Sequence, residues 1–162
     1  MCSRPLSWSG LGILAVSLLL GSPLGSYGAT TTETVLVPEA DQFSPFALTI
    51  HVGEKVKWVN NDTDDHTVVS DDSVNTTGPK QLDHLLPGTD SNGGKPGKFS
   101  IVFRKPGTFV YHCRFHSILD ANHQPVAPGP EGGIQGEGVA PPGTADDFGT
   151  PMMGVITVLP SE

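Results

Sequence analysis

Short runs in which apolar and polar residues alternate with a period of two occur along most of the chain after residue 33. Successive side chains of a β-strand point to opposite faces, so this period is typical of strands that bury one face in a core. Glycine, proline, asparagine and aspartate residues separate the runs, and none of the runs has helical periodicity. The pattern predicts seven strands, at residues 34–37, 47–52, 55–60, 66–69, 99–103, 108–113 and 154–159.

The alternation also indicates which strand residues face the core. Val56 and Trp58 share one face of their strand, and Phe109, Tyr111 and Cys113 share one face of another. Several short strands joined by turns are typical of two sheets packed face to face. The sequence therefore predicts an all-β fold, a two-sheet antiparallel sandwich.

Two polar segments interrupt the predicted strands. Residues 70–97 are expected to form loops, with one short helical turn at 81–86. Residues 121–151 are rich in glycine and proline and carry few large apolar side chains. Such a segment has little to bury, so we expect a long surface insertion before the last strand.

The N-terminal residues have the organisation of a secretory signal peptide. Arg4 precedes an apolar run at 11–20, and small residues follow up to Gly28. The run is well short of the ~20 residues that a membrane-spanning helix needs, which disfavours the alternative of a retained anchor. We expect an exported protein, periplasmic or extracellular, with a signal peptide at 1–28 and a single domain at 29–162.

Composition and charge narrow the classes of function. The formal net charge is −8, and such a chain cannot neutralise a phosphate backbone, so no nucleic-acid partner is expected. Only 16% of the residues are charged, while 20 are glycine and 15 are proline, which excludes a coiled coil or a helical bundle.

Removal of the signal peptide would also remove Cys2 and leave Cys113 as the one cysteine. A lone thiol in an oxidising compartment cannot form an internal disulfide. It is a liability unless it is deeply buried or bound to a metal. The sequence leaves both of these roles open for Cys113.

Candidate metal ligands accompany this cysteine. His116 follows Cys113 by three residues at the end of a strand, and His66 begins a neighbouring strand after a turn. Met152 or Met153 could add a thioether. Two imidazoles and a thiolate with a weak axial methionine suit copper and form a blue-copper electron-transfer centre.

The residues around these ligands resemble the small cupredoxins, of the plastocyanin and amicyanin type. The resemblance rests on Trp58-Val-Asn-Asn-Asp62, His66-Thr-Val, Pro106-Gly-Thr-Phe-Val-Tyr-His-Cys113-Arg-Phe-His116 and Met152-Met-Gly-Val-Ile-Thr-Val158. It implies a Greek-key sandwich that holds one type 1 copper per chain. The ligands it implies are His66, Cys113, His116 and Met152. Met152 is selected over Met153 by the spacing that the family has between its methionine and the last strand.

The resemblance also implies a function. A small cupredoxin is a soluble one-electron carrier and not an enzyme. We expect a monomer whose redox protein partners, some of them peripheral to a membrane, dock near His116. Phe115, Ile118 and Leu119 would form an apolar rim around that histidine.

One departure from the family keeps the axial ligand open. Met152 follows His116 by 36 positions, where the family has only a few. Met153 could therefore replace Met152, as could three residues of the insertion, His123, Gln124 and Gln135. An open or altered axial position would suit the alternative function of an exported copper-binding or trafficking module.

An enzyme subunit of the nitrite-reductase or oxidase kind is a further alternative, because His112 adjoins Cys113. Such enzymes need additional histidines for a second copper, and this chain has Arg114 and Asp71 at the corresponding positions. We therefore expect no catalytic site. The aspartates between 62 and 72 are expected to form a solvated rim and not a calcium loop.

Overall fold

The computed structural model describes residues 31–126 and 151–161. The predicted signal peptide and most of the predicted insertion lie outside these residues. The described part contains ten strands. They are β1 (Thr32–Val37), β2 (Ala47–His51), β3 (Lys55–Asn60), β4 (His66–Ser70), β5 (Asp83–Leu86), β6 (Gly97–Val102), β7 (Gly107–His112), β8 (Ile118–Leu119), β9 (Pro125–Val126) and β10 (Met153–Leu159). Within these two ranges, the structure contains no helical segment with the length and hydrophobicity that a membrane-spanning helix requires.

The strands form a sandwich, which confirms the predicted all-β fold. One sheet has the order β1-β3-β6, and the other has the order β2-β10-β7-β4-β5. All seven predicted strands are present, with ends that differ by at most two residues. The prediction of purely antiparallel strands was wrong, because β1 pairs parallel to β3 and β2 pairs parallel to β10. Strands that are not joined by a hairpin are free to pair in either direction, and neither of these two pairs shares a hairpin.

The core lies between the two sheets and contains the residues that the alternation assigned to it. Val56 and Trp58 from β3 and Phe109 and Tyr111 from β7 are fully buried. The Trp58 ring meets the Tyr111 ring edge to face, with centroids 5.3 Å apart. This contact joins one sheet to the other and fixes β7, which ends one residue before Cys113, against the core.

Residues 83–86 correct another prediction, since they form β5 and not a helical turn. They pair antiparallel with β4, with Leu86 opposite His66. Leu86 is fully buried while Leu85 is 45% exposed, which is the alternation of a strand. The edge of β4 provides the backbone hydrogen-bond partners that make these residues a strand, and a four-residue sequence alone does not reveal such partners.

Candidate metal centre

A side-chain hydrogen-bond network shapes the turn that precedes His66. The Asn60 amide donates to the carbonyl oxygens of Asp64 (2.8 Å) and Leu86 (3.0 Å), and its own oxygen accepts from the backbone N–H of Asp62. Asparagine favours such local bonds, which replace a strand ladder at a turn. The turn therefore places His66 at the first position of β4, where its side chain is fully buried.

A second turn brings Cys113 and His116 to the same place. The backbone N–H of His116 donates to the Cys113 carbonyl oxygen at 3.2 Å, and the Ser117 hydroxyl donates to the same oxygen at 2.6 Å. The chain therefore leaves β7 and folds back within three residues. Both side chains then face His66, as their spacing predicted.

The three side chains present one sulfur and two nitrogens to a common point. The Cys113 Sγ lies 3.8 Å from Nδ1 of His66 and 3.6 Å from Nδ1 of His116. Bonds of about 2.3 Å to sulfur and 2.0–2.1 Å to nitrogen, as zinc forms, separate the two donors by about 3.8 Å in a trigonal plane. The observed distances thus fit a trigonal metal ion bound by two imidazoles and a thiolate.

The environment of Cys113 favours its thiolate form. Burial raises the pKa of this thiol, but hydrogen bonds from His116, Phe115 and Thr67 outweigh the burial and lower the pKa below its usual value. Thr67 contributes both its backbone N–H, 3.4 Å from Sγ, and its hydroxyl, 3.7 Å from Sγ. The same hydroxyl accepts from the backbone N–H of Arg114 at 3.0 Å, which ties β4 to the turn after β7.

Met152 lies beside these ligands through its backbone. Its carbonyl oxygen accepts from the N–H of Cys113 at 2.9 Å, and its N–H donates to the carbonyl of His116 at 3.2 Å. Its side chain is fully buried. Met153 is only half-buried and pairs with His112 as the first residue of β10.

Two carboxylates lie behind His66, and the sequence did not predict them. Asp62 Oδ2 is 3.2 Å and Asp41 Oδ1 is 3.4 Å from His66 Nε2. The prediction of a solvated acidic rim was wrong for Asp62 and Asp71, which are 5% and 1% exposed. The spacing of four residues between Asp62 and His66 could have indicated that the two side chains lie close together. No local sequence feature indicated this for Asp41, which lies in the loop between β1 and β2.

The other histidines with described side chains belong to different surroundings. His84 stacks on Phe99 with centroids 3.9 Å apart, and His51 lies 4.0 Å from Glu54. Burial lowers the pKa of His112, which is the last residue of β7. Among the described residues, the cluster of possible metal ligands around Cys113 contains His66 and His116 and excludes His112 and His123. Gln135 lies outside the described residues.

The predicted apolar rim is exposed. Phe115, Ile118 and Leu119 are 47%, 50% and 39% exposed. Ile118 and Leu119 form β8, which pairs with β9 in a two-stranded hairpin directly after the ligand turn. The Phe115 ring lies 6.5 Å from the His116 ring, so these apolar side chains begin beside the predicted metal ligand.

Comparisons with known proteins identify the family of this chain. The sequence model of a family described as copper binding proteins of the plastocyanin/azurin family matches residues 32–121. A chloroplastic plastocyanin of Physcomitrium patens is 34% identical over 116 residues, which are 70% of this chain and 66% of that protein, just under two thirds of its length.

Among solved structures, an oxidized amicyanin mutant covers 78% of this chain and 81% of its own, at 18% identity and a TM-score of 0.47. A purple cupredoxin from Nitrosopumilus maritimus covers 78% of this chain and 99% of its own, at 19% identity and a TM-score of 0.44. The family assignment comes from the sequence match, which spans more than half of the chain and includes His66, Cys113 and His116. This chain belongs to the plastocyanin/azurin family of copper-binding proteins.

Proposed function

We propose that the protein is a one-electron carrier whose type 1 copper is held by His66, Cys113, His116 and an axial Met152. The observation that carries this proposal is the pair of distances, 3.8 and 3.6 Å, from the Cys113 sulfur to the Nδ1 atoms of the two histidines. When bound, copper supplies the chemistry by cycling between Cu(II) and Cu(I). Two imidazoles, a thiolate and a weak thioether suit both of these states.

The surrounding protein limits rearrangement of the ligands. His66, Cys113 and Met152 are fully buried, so water has little access to them. The hydroxyl of Thr67 and the backbone bonds of Met152 connect the segments that carry the ligands. Ligands fixed in this way keep one geometry when an electron arrives or leaves, which favours fast transfer.

His116 offers the route by which an electron enters. Its side chain is 19% exposed, whereas that of His66 is fully buried. The exposed Phe115, Ile118 and Leu119 adjoin it. A redox protein partner that docks on this rim would bring its own redox centre within a short distance of the copper. We propose that the protein is a monomer, because the rim is then accessible to the partner.

We also propose that the protein is exported. A signal peptide at 1–28 would direct the domain at 29–162 to the periplasm or the exterior, where the partner would meet it, in solution or at a membrane surface. The proposal includes no catalytic site.

The visible spectrum of the copper-loaded protein tests the function. We expect intense absorption of red light from a thiolate–Cu(II) bond, and its loss in Cys113→Ser, because serine offers no soft anionic ligand. His84→Gln is the control, since His84 stacks on Phe99 away from the ligands.

Far-UV circular dichroism of the copper-free proteins should be the same in all three forms. A wild-type protein that binds copper without this absorption would instead support the trafficking module. An intact spectrum in Cys113→Ser would refute the proposed site.

A further inference from the structure

The two carboxylates behind His66 come from separate segments and are both almost fully buried. Asp41, in the loop between β1 and β2, is 3% exposed, and Asp62, in the turn before β4, is 5% exposed. Burial of a charged group is costly unless the group is paired or hydrogen-bonded. Both carboxylates point an oxygen at the same nitrogen, Nε2 of His66, at 3.4 and 3.2 Å.

Asp41 is placed between the two histidines of the metal centre. Its Oδ1 is 3.4 Å from Nε2 of His66 and 3.9 Å from Nε2 of His116. The first distance allows a hydrogen bond, and the second is an electrostatic contact beyond hydrogen-bonding range. Each ring presents its Nδ1 to the Cys113 sulfur, so one carboxylate oxygen faces the distal edge of both rings.

The loop that contains Asp41 is held in place by the residues that follow Asp41. Leu36 and Ser44 exchange two backbone hydrogen bonds of 2.8 Å. Phe43 is buried and meets the Tyr111 ring edge to face at 4.8 Å. Asp41 itself has a φ of 48°, a left-handed conformation that aspartate tolerates better than most residues. The backbone therefore holds the carboxylate in place before a metal binds.

We propose that Asp41 is a positioning residue that, together with Asp62, orients His66 and His116 and lowers the reduction potential of the copper. The inference rests on the proposed electron-carrier function. A carboxylate that accepts from the distal N–H of a ligating histidine fixes its tautomer and makes its other nitrogen a stronger donor.

The charge of the centre gives the sign of the effect on the potential. Cu(II) with one thiolate has a net charge of +1, and Cu(I) with the same thiolate has none. A buried carboxylate close to the ligands therefore stabilises the oxidised state more than the reduced state. Stronger donation from His66 acts in the same direction.

Replacement of single carboxylates tests the inference. In Asp41→Asn we expect the preference for Cu(II) over Cu(I) to fall about tenfold, which raises the potential by about 59 mV. Asp64→Asn is the matched control, because it removes the same charge from the turn before His66 at an exposed position. Asp41→Glu, which keeps the charge, should shift the potential less than Asp41→Asn.

A second measurement needs no copper. Nitrogen NMR shifts of the His66 ring in the metal-free protein should report the Nε2–H tautomer in the wild type and a larger share of the other tautomer in Asp41→Asn than in Asp64→Asn. If Asp41→Asn does not fold, Asp62→Asn carries the same test, since Asp62 makes the shorter contact to His66.

The outcomes separate this inference from the function on which it rests. A blue wild-type protein in which Asp41→Asn shifts the potential no more than Asp64→Asn would overturn the positioning role alone. A copper-loaded wild type without thiolate absorption would overturn the electron carrier and the inference with it.

Discussion

Adjacent methionines reach the metal end of the sandwich in different environments. Met152 is fully buried, and its backbone bonds to Cys113 and His116, whereas Met153 is half-buried and opens β10 opposite His112. A weak axial thioether tunes a blue-copper site and does not create it. This difference makes the two residues a matched pair for an experiment.

We expect Met152→Leu to keep the protein blue and to raise its reduction potential, because the thioether stabilises Cu(II) through a weak bond that leucine cannot form. Met153→Leu should leave both the spectrum and the potential close to those of the wild type. Voltammetry and visible spectra of the two variants provide the check. The reverse result would move the axial position to Met153.

Residue type and spacing were sufficient to predict that His66, Cys113 and His116 come together. Each of them adjoins a turn signal or a strand end that the alternation makes visible. Asp41 was beyond such reasoning, because it lies in the loop between β1 and β2, far from His66 along the chain, and its contact with His66 has no local signature. The burial of Asp62 was not predicted, because a run of aspartates is usually exposed to solvent.

At the scale of elements, β5 shows how pairing decides a structure that the local sequence leaves open. Residues 83–86 are too few to establish a period, and the loops around them are rich in glycine and proline. The pairing with β4 gives these residues their strand geometry and places Leu86 opposite His66. The parallel pairs of β1 with β3 and β2 with β10 were missed for the same reason, since alternation reports faces and not partners.

Leu86→Ala should lower the free energy of unfolding by about 2–5 kcal/mol, as expected for a fully buried leucine. Leu85→Ala, one residue earlier on the same strand and 45% exposed, should change it by less than about 0.5 kcal/mol. Urea denaturation of the metal-free proteins measures both. Similar losses in the two variants would contradict the alternation of β5.

At the scale of the whole molecule, the net charge of −8 governs how the protein meets other proteins. Residues 127–148 contribute Glu131, Glu137, Asp146 and Asp147 and no lysine or arginine, so half of that net charge comes from this segment. It follows the β8–β9 hairpin and precedes Met152 along the chain, so both of its ends connect to the ligand region. We expect this charge to steer a basic redox partner towards His116.

Replacement of residues 127–148 by a short Gly-Ser link keeps the hairpin and tests that expectation. The copper spectrum should be unchanged, while electron transfer to a basic partner should slow several-fold at low salt, because the attraction that speeds encounter is reduced. The difference should shrink as the ionic strength approaches 0.1 M, where the Debye length is about 10 Å. Stopped-flow kinetics at several salt concentrations measure it.

A full-length variant with all four acids changed to their amides separates charge from length. If the charge steers the partner, this variant should transfer electrons as slowly as the shortened protein and respond to salt in the same way. If it behaves like the wild type while the shortened protein is slow, the segment acts through its bulk or through contacts of its own. Loss of colour in the shortened protein alone would make the segment part of the copper site, and the open axial position of a trafficking module would then explain the long insertion better than steering does.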